Sequence, residues 1–176
     1  MLSTLRAAVF GLAALAALPA VAQDTFPVTI KHIYGETVIP AQPSRVVVWG
    51  TNSQDAVFQL GVMPVGIPFF SYGGGDNGIL PWDEEAIARI GGEPPAILPN
   101  ANEIPIEQIA ALKPDVILAH FSGITQEEYD TLSQIAPVAA YPKEAWGTSW
   151  QDVILIAGQA LGKSAEAQKI VAESEQ

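Results

Sequence analysis

The chain has 176 residues, 49% of them hydrophobic and 15% charged, and its 19 acidic side chains against 8 basic ones leave a formal net charge of −11. So acidic a surface excludes nucleic acid as a partner, because phosphates demand a basic face. The absence of cysteine excludes disulfides and thiolate metal sites.

Taken in chain order, residues 1–22 read as a secretory signal peptide. Arg6 supplies the positive start, and Ala7 to Leu18 forms an apolar core too short to span a bilayer. Ala20-Val21-Ala22 is a small-x-small cleavage site, so Gln23 is expected to begin the mature chain. No cysteine follows the signal, so a lipid anchor is not expected and a periplasmic location is. Cleavage removes Arg6 and no acid, which makes the mature chain more acidic still. The acids are spread along it, as solubility requires.

Val28 to Lys31 and Glu36 to Ile39 flank Tyr34-Gly35 and predict a β-hairpin. After Pro43, Arg45-Val46-Val47-Val48-Trp49 predicts a buried strand. Gly50 to Ser53 is a turn, Asp55 to Leu60 a helix, and Gly61 its C-cap. Val65-Gly66-Ile67 is a second short strand. Pro68 to Pro81 is a long loop around Gly73-Gly74-Gly75. Trp82 to Ile90 is a helix that Gly91-Gly92 ends, and Ala96-Ile97-Leu98 is a third strand. Ile106, Ile109 and Leu112 recur at helical spacing until Pro114 stops them. Val116 to Ala119 is a continuous apolar run, as in a strand covered on both faces. Thr125 and Glu128 make a capping box for a helix to about Ile135, before Pro137. Val138 to Ala140 is the last strand. Ser149 caps a helix over Trp150 to Leu161, closed by Gly162, and Ser164 caps another over Ala165 to Glu173.

Strands alternating with helices predict a three-layer α/β/α lobe with a mainly parallel sheet. A domain boundary is expected near Gly162-Lys163. The last helix stops in mid-run, which predicts a fragment or a gene that ends early. Ligands of such sheets bind outside the carboxyl ends of the strands. The residues there are Trp49-Gly50-Thr51-Asn52, Phe69-Phe70-Ser71-Tyr72, His120-Phe121-Ser122-Gly123, Tyr141 and Trp146. Aromatic and small polar groups dominate, without a carboxylate pair or a cationic cluster. That suits a broad, partly apolar ligand held by stacking and a few hydrogen bonds. Any single one of these aromatics is as readily explained by packing under a loop.

Two other classes compete. A direct zinc or manganese binder needs several His and carboxylate ligands. Only His32 and His120 exist; His32 falls in the hairpin, away from the expected cleft, and His120 at a strand end. A small α/β enzyme is the rival of a different kind. Gly162-Lys163-Ser164 ends like a P-loop, but Ala157 stands where a glycine is needed and helix precedes it where a strand is needed. Gly73-Gly74-Gly75 has no strand–turn–helix setting. No Ser-His-Asp arrangement is legible.

The ordered set resembles one family: the signal peptide, the hairpin, the Pro43-Ser44-Arg45-Val46-Val47-Val48 strand, the Asp55 to Leu60 helix and Gly61-Val62-Met63-Pro64-Val65-Gly66. It continues through Ile106 to Asp115, Leu132 to Pro137 and Leu161-Gly162-Lys163. It is similar to the N-terminal lobe of an iron-siderophore ABC-transporter substrate-binding protein, a periplasmic protein of the siderophore, haem and cobalamin type. The resemblance implies two lobes joined by a long helix, with ligand between them. Residues 23–163 would be the first lobe and residues 164–176 the start of that helix, the C-terminal lobe being absent. It implies capture and delivery of a ferric siderophore by a monomer, without catalysis, cofactor or protein ligand to iron. Trp49, Asn52, Tyr72, Phe121, Ser122 and Trp146 would contact the ligand from this side. Glu107 would dock on arginines of the ABC permease; a carboxylate in a first helical turn is also favoured by the helix dipole. Before the Gly162-Lys163 boundary the mature chain has only Lys31, Arg45, Arg89, Lys113 and Lys143 as lysines and arginines, and Arg45 and Lys113 sit at the wrong strand ends for the cleft. A neutral ferric hydroxamate is therefore preferred to an anionic catecholate. Haem held through Tyr72 or Tyr141, cobalamin or a metal ion in the same fold stays open.

Overall fold

The computed structural model describes residues 24–100 and 103–175, and the expected signal peptide at 1–22 lies outside them. Strands β1 (Val28–His32) and β2 (Gly35–Ile39) form the antiparallel hairpin, with Lys31 opposite Glu36. Five parallel strands form the sheet: β3 (Val46–Val48), β4 (Gly66–Pro68), β5 (Ala96–Leu98), β6 (Val116–Ala119) and β7 (Val138–Ala140). Their order is β5-β4-β3-β6-β7. The chain builds outward from β3 in one direction, then returns to add β6 and β7 on its other side. A doubly wound sheet of this order has its topological switch point between β3 and β6.

Helices α1 (Ser53–Gln59), α2 (Pro81–Ile90), α3 (Ile106–Ala111), α4 (Gln126–Leu132), α5 (Trp150–Leu161) and α6 (Ser164–Ser174) complete the fold. Alternation along the strands divides the core between two faces. Val46, Val48 and Leu118 pack with Ala56 and Val57 of α1, Ala157 of α5 and Ala167 of α6. Val47, Ile117 and Ala119 point the other way, to Ile109 of α3 and Leu132 of α4. The expected three-layer α/β/α architecture is the one observed. All three valines of β3 are fully buried, and each is worth about 1.5–3 kcal/mol in transfer terms. This is why the central strands are unbroken apolar runs with no polar alternation.

Departures from the sequence expectation have local causes. α4 stops at Leu132, and residues 133–136 tighten into turns, with Gln134 N–H donating to Thr131 and Ile135 N–H to Leu132. Pro137 disfavours helical backbone in the residue before it, so the helix unwinds early. α1 begins at Ser53, two residues ahead of Asp55, behind Asn52 in a left-handed conformation. Ser164 is the first residue of α6 rather than its cap. Its N–H donates to the Asp24 carboxylate at 2.9 Å, so the cap comes from the other end of the lobe. α6 packs back on α5, with the Ala167 methyl against Gly158.

The hairpin lies along the β7 edge, with only its tip at the carboxyl end of the sheet. Ile33 N–H donates to the carbonyl of Tyr141, just beyond β7. The Tyr34 hydroxyl meets that of Tyr141 at 2.7 Å and also donates to the Ile124 carbonyl. Thr37 donates to the Val138 carbonyl and contacts His32 at 2.9 Å. The hairpin therefore covers the β7 edge, which would otherwise present open hydrogen-bonding groups.

A carboxyl pair joins α1 to α2. Asp83 is only 1% exposed. Gln54 Nε2 donates to its Oδ2 at 3.1 Å, Trp82 Nε1 donates to Asp55 Oδ1 at 2.9 Å, and the two carboxyl groups hydrogen-bond to each other. Burial pushes Asp83 up to about 7, and the neighbouring Asp55 charge adds to the effect. Burial also raises Asp55, against the hydrogen bonds from Asp83 and Trp82. Two like charges in contact cannot both ionise cheaply, so the pair shares a proton near neutrality.

The two chain segments at the switch point cross closely. Trp49 N–H donates to the Leu118 carbonyl at 2.8 Å, and Thr51 N–H to the Phe121 carbonyl at 3.2 Å. Between them Gly50 has φ +124°, and a Cβ there would lie 2.3 Å from the Phe121 carbonyl oxygen.

Two outcomes are expected. Folded Asp83 keeps its proton up to about pH 7, whereas in the unfolded chain it loses it near pH 4. The folded state thus binds the extra proton between those limits, and stability falls as pH rises through them. Thermal unfolding from pH 4 to 8 should show the native chain losing Tm relative to Asp83→Asn across that window; a relative gain contradicts the assignment. In urea, Gly50→Ala should cost about 3 kcal/mol or more, because steric conflict adds to backbone strain. Gly61→Ala, at φ +71° in open space, should cost about 1 kcal/mol. Equal losses would contradict the crossing as a constraint.

Candidate functional site

The carboxyl ends of the strands open onto two adjoining clefts. One, of about 160 Å³, is lined by Trp49 after β3, Asn100 and Glu103 after β5, Gly123 and Glu128 around the start of α4, and Trp146 after β7. The other, of about 340 Å³, is lined by Asn52 and Asp55 at the start of α1, by Phe121, and by Thr148, Trp150 and Val153 at the start of α5. The Phe121 and Trp146 rings meet edge-on, with centroids 6.0 Å apart and planes at 88°. They form a ridge between the two clefts, directly over the switch point.

Backbone geometry sets this ridge. Trp146 has φ +61°, a conformation most side chains avoid. Its N–H donates to the Ser122 carbonyl at 3.0 Å. Gly123 allows the indole to lie flat against the chain, since a Cβ there would sit 2.5 Å from Trp146 Nε1. The indole is 54% exposed, whereas Trp49 is 8% exposed and shows only part of its ring.

Trp49 and Trp146 thus share one cleft, Asn52 and Phe121 the other. Two expected contacts do not join them. Ser122 is 1% exposed, donates its hydroxyl to the Ala119 carbonyl at 2.7 Å and accepts from Ile124 N–H. It braces the turn from beneath, and it lines neither cleft. Tyr72 is 95% exposed at the tip of the long loop and lines neither cleft. Tyr141 is likewise withdrawn: it is buried, with its hydroxyl engaged by Tyr34 and by the Ile124 carbonyl.

Neither histidine faces the clefts. His120 is fully buried, and burial pushes its ring down to about 4, partly offset by the backbone of Val153. Neither ring nitrogen makes a hydrogen bond of good geometry. It is a neutral core residue under the floor of the site. His32 is buried against Thr37 and Tyr129, and burial lowers it too.

Several lining residues were not singled out from the sequence. Asn100 and Glu103 follow β5 as Trp49 follows β3, so the same strand-end rule pointed to them. Thr148 donates to the His120 carbonyl at 2.6 Å and brings the start of α5 onto the site. Glu128 was read only as a helix cap. Its Oε2 does accept from Thr125 N–H and Oγ1, at 2.7 and 3.0 Å, while the side chain also borders the smaller cleft.

Glu107 lies in the first turn of α3 and is exposed. α3 runs back along the sheet before β6, so its first turn sits at the cleft end.

Comparison with known proteins agrees with this geometry. The family model described as periplasmic binding protein matches residues 83–176. A probable siderophore-binding lipoprotein of Bacillus subtilis, YfiY, is 31% identical over 154 residues, covering 82% of this chain and 42% of its own length. The Fe(3+) dicitrate-binding periplasmic protein FecB of Escherichia coli is 32% identical over 161 residues, 87% of this chain and 48% of its own. The crystal structure of Streptococcus pneumoniae PiaA in complex with ferrichrome superposes with a TM-score of 0.78 at 41% identity, covering 84% of this chain and 49% of that one. The chain thus spans about half the length of the relatives it matches. It belongs to the periplasmic binding protein family.

Proposed function

We propose that this member of the periplasmic binding protein family captures a ferric siderophore in the periplasm, after export by residues 1–22, and delivers it to the permease of an ABC importer. The observation that carries the reading is the aromatic ridge of Phe121 and Trp146, with Trp49 beside it, at the switch point of the sheet. Trp146 is exposed, Phe121 half-buried and Trp49 shows only part of its ring; such a surface over a packed floor binds by area and stacking. It suits a ligand whose iron is already wrapped in organic chelator, so that capture needs no side chain on the metal. Binding without turnover is the action proposed.

In this reading residues 23–163 are one lobe and residues 164–176 begin a helix leading to a second. Trp49, Asn52, Phe121 and Trp146 meet the ligand, and Tyr72 reaches it only from the loop tip. Among the described residues, no lysine or arginine lines either cleft. That favours a ferric hydroxamate over an anionic catecholate, whose charge would go unanswered. PiaA was crystallised in complex with ferrichrome. Glu107, exposed at the cleft end of α3, is the residue proposed to meet a permease arginine.

Intrinsic tryptophan fluorescence, titrated with ferric hydroxamate, ferric catecholate, haem and free metal ions, is the test. One ferric siderophore should quench saturably. Trp146→Ala should weaken that binding about tenfold or more, as loss of a central aromatic contact does. Unchanged affinity would remove the ridge from the site, and quenching by free metal alone would replace the reading with direct ion binding. Glu107→Gln should leave the titration unchanged and lower uptake by cells whose only source is this protein. Normal uptake would contradict the docking role.

A further inference from the structure

The smaller cleft has a chemistry the siderophore reading does not by itself require. Its walls are two indoles, Trp49 and Trp146, and its rim carries two carboxylates, Glu103 and Glu128, beside the Asn100 amide. Glu103 is exposed and makes no ion pair among the described residues. Glu128 spends one oxygen, Oε2, on Thr125 and keeps Oε1 out of that cap. Among the described residues, no lysine or arginine pairs with either carboxylate or lines the cleft. Lys143, in the same connection as Trp146, does not line the cleft, and Arg45 is turned to the carbonyls of Leu112 and Lys113 at the opposite end of the sheet.

The cleft is also small. About 160 Å³ is below the range that encloses a whole ligand. It fits an arm that projects from a larger body lying on the aromatic ridge. Indole faces attract cations by about 0.5–2 kcal/mol, and carboxylates at the same mouth add Coulomb attraction. An anionic arm would meet two like charges there with no counter-charge.

We propose that this cleft is a subsite for a positively charged arm, an ammonium or amine, carried by the bound iron complex. The proposal rests on the ferric siderophore reading and deepens it. The larger body binds on the ridge by stacking, and the arm enters between Trp49 and Trp146 toward Glu103 and Glu128. Selection among ferric hydroxamates is then made by the charge of the arm, not by the iron centre, which is alike in all of them.

The test compares two ligands that differ only in that charge: a linear ferric trihydroxamate with a terminal ammonium, and the same complex with the amine acetylated. Fluorescence titration of the chain should show the ammonium form binding about tenfold more tightly. The preference should shrink as salt is raised from about 0.01 to 1 M, because the pair at the mouth is screened. The double variant Glu103→Gln, Glu128→Gln should lose the salt-dependent part of that preference and keep only the part the two indoles supply; an undiminished preference overturns the role of the carboxylates. Glutamine keeps the helix cap at Thr125, and an unchanged Tm checks that the fold is intact. Equal binding of both forms by the native chain, or a preference for the acetylated one, overturns the charge assignment and leaves the siderophore reading standing. Binding of neither form overturns both.

Discussion

The crossing of the chain at Gly50 and Phe121 is the contact on which the rest of the site depends. Two neighbouring strands, β3 and β6, must send their following segments to opposite faces of the sheet. They pass so closely that only a residue without Cβ fits between them. The hydrogen bond from Thr51 to Phe121 ties the two turns together. Phe121 is thereby aimed at the ridge, and Asn52 at the mouth of the larger cleft. The next turn is built on this one: the Ser122 carbonyl holds Trp146, and Gly123 makes room for its indole. The exposed aromatic surface is thus a consequence of backbone geometry rather than of loose side chains.

Around that crossing the polar groups divide by burial. Beneath the floor, His120 is neutral because the core gives a charge no solvation, and Ser122 is consumed by its own turn. To one side, Asp55 and Asp83 persist in a half-dry joint by sharing a proton. On the mouth, Glu103 and Glu128 border a cleft that no lysine or arginine among the described residues lines. Full charge is thus kept out of the floor, reduced by the shared proton in the joint, and left free on the mouth. The overall acidity of the chain is a poor guide to this pattern, because most of its carboxylates are simply on the solvated surface.

Much of the architecture was legible because the strands are buried on both faces. Val46 to Val48 and Val116 to Ala119 stand out as apolar runs, and Thr125 with Glu128 marks a helix start with two reciprocal bonds. What was not legible depends on contacts distant in sequence. Nothing near Ser164 announces that Asp24 will cap it, and nothing in the hairpin says that Tyr34 will reach Tyr141. The site shows the same division. Residues just after strands were found by topology alone, which led to Trp49, Asn52 and Phe121. Topology does not say which side chain in a turn points inward, so Ser122 was read as a contact and is a brace. Glu128 had a sufficient local role, and that role hid its place at the cleft.

The ligand is proposed to rest on the ridge at the switch point. The chain has four tryptophans, and their indole N–H resonances report separately on the two clefts and on the α1–α2 joint. The most direct measurement is their titration with a gallium trihydroxamate, a diamagnetic equivalent of the ferric complex. The account predicts saturable shifts of the Trp49 and Trp146 signals while Trp82, bound to Asp55, stays in place. Movement of Trp82 alone, or of none of the four, would contradict it.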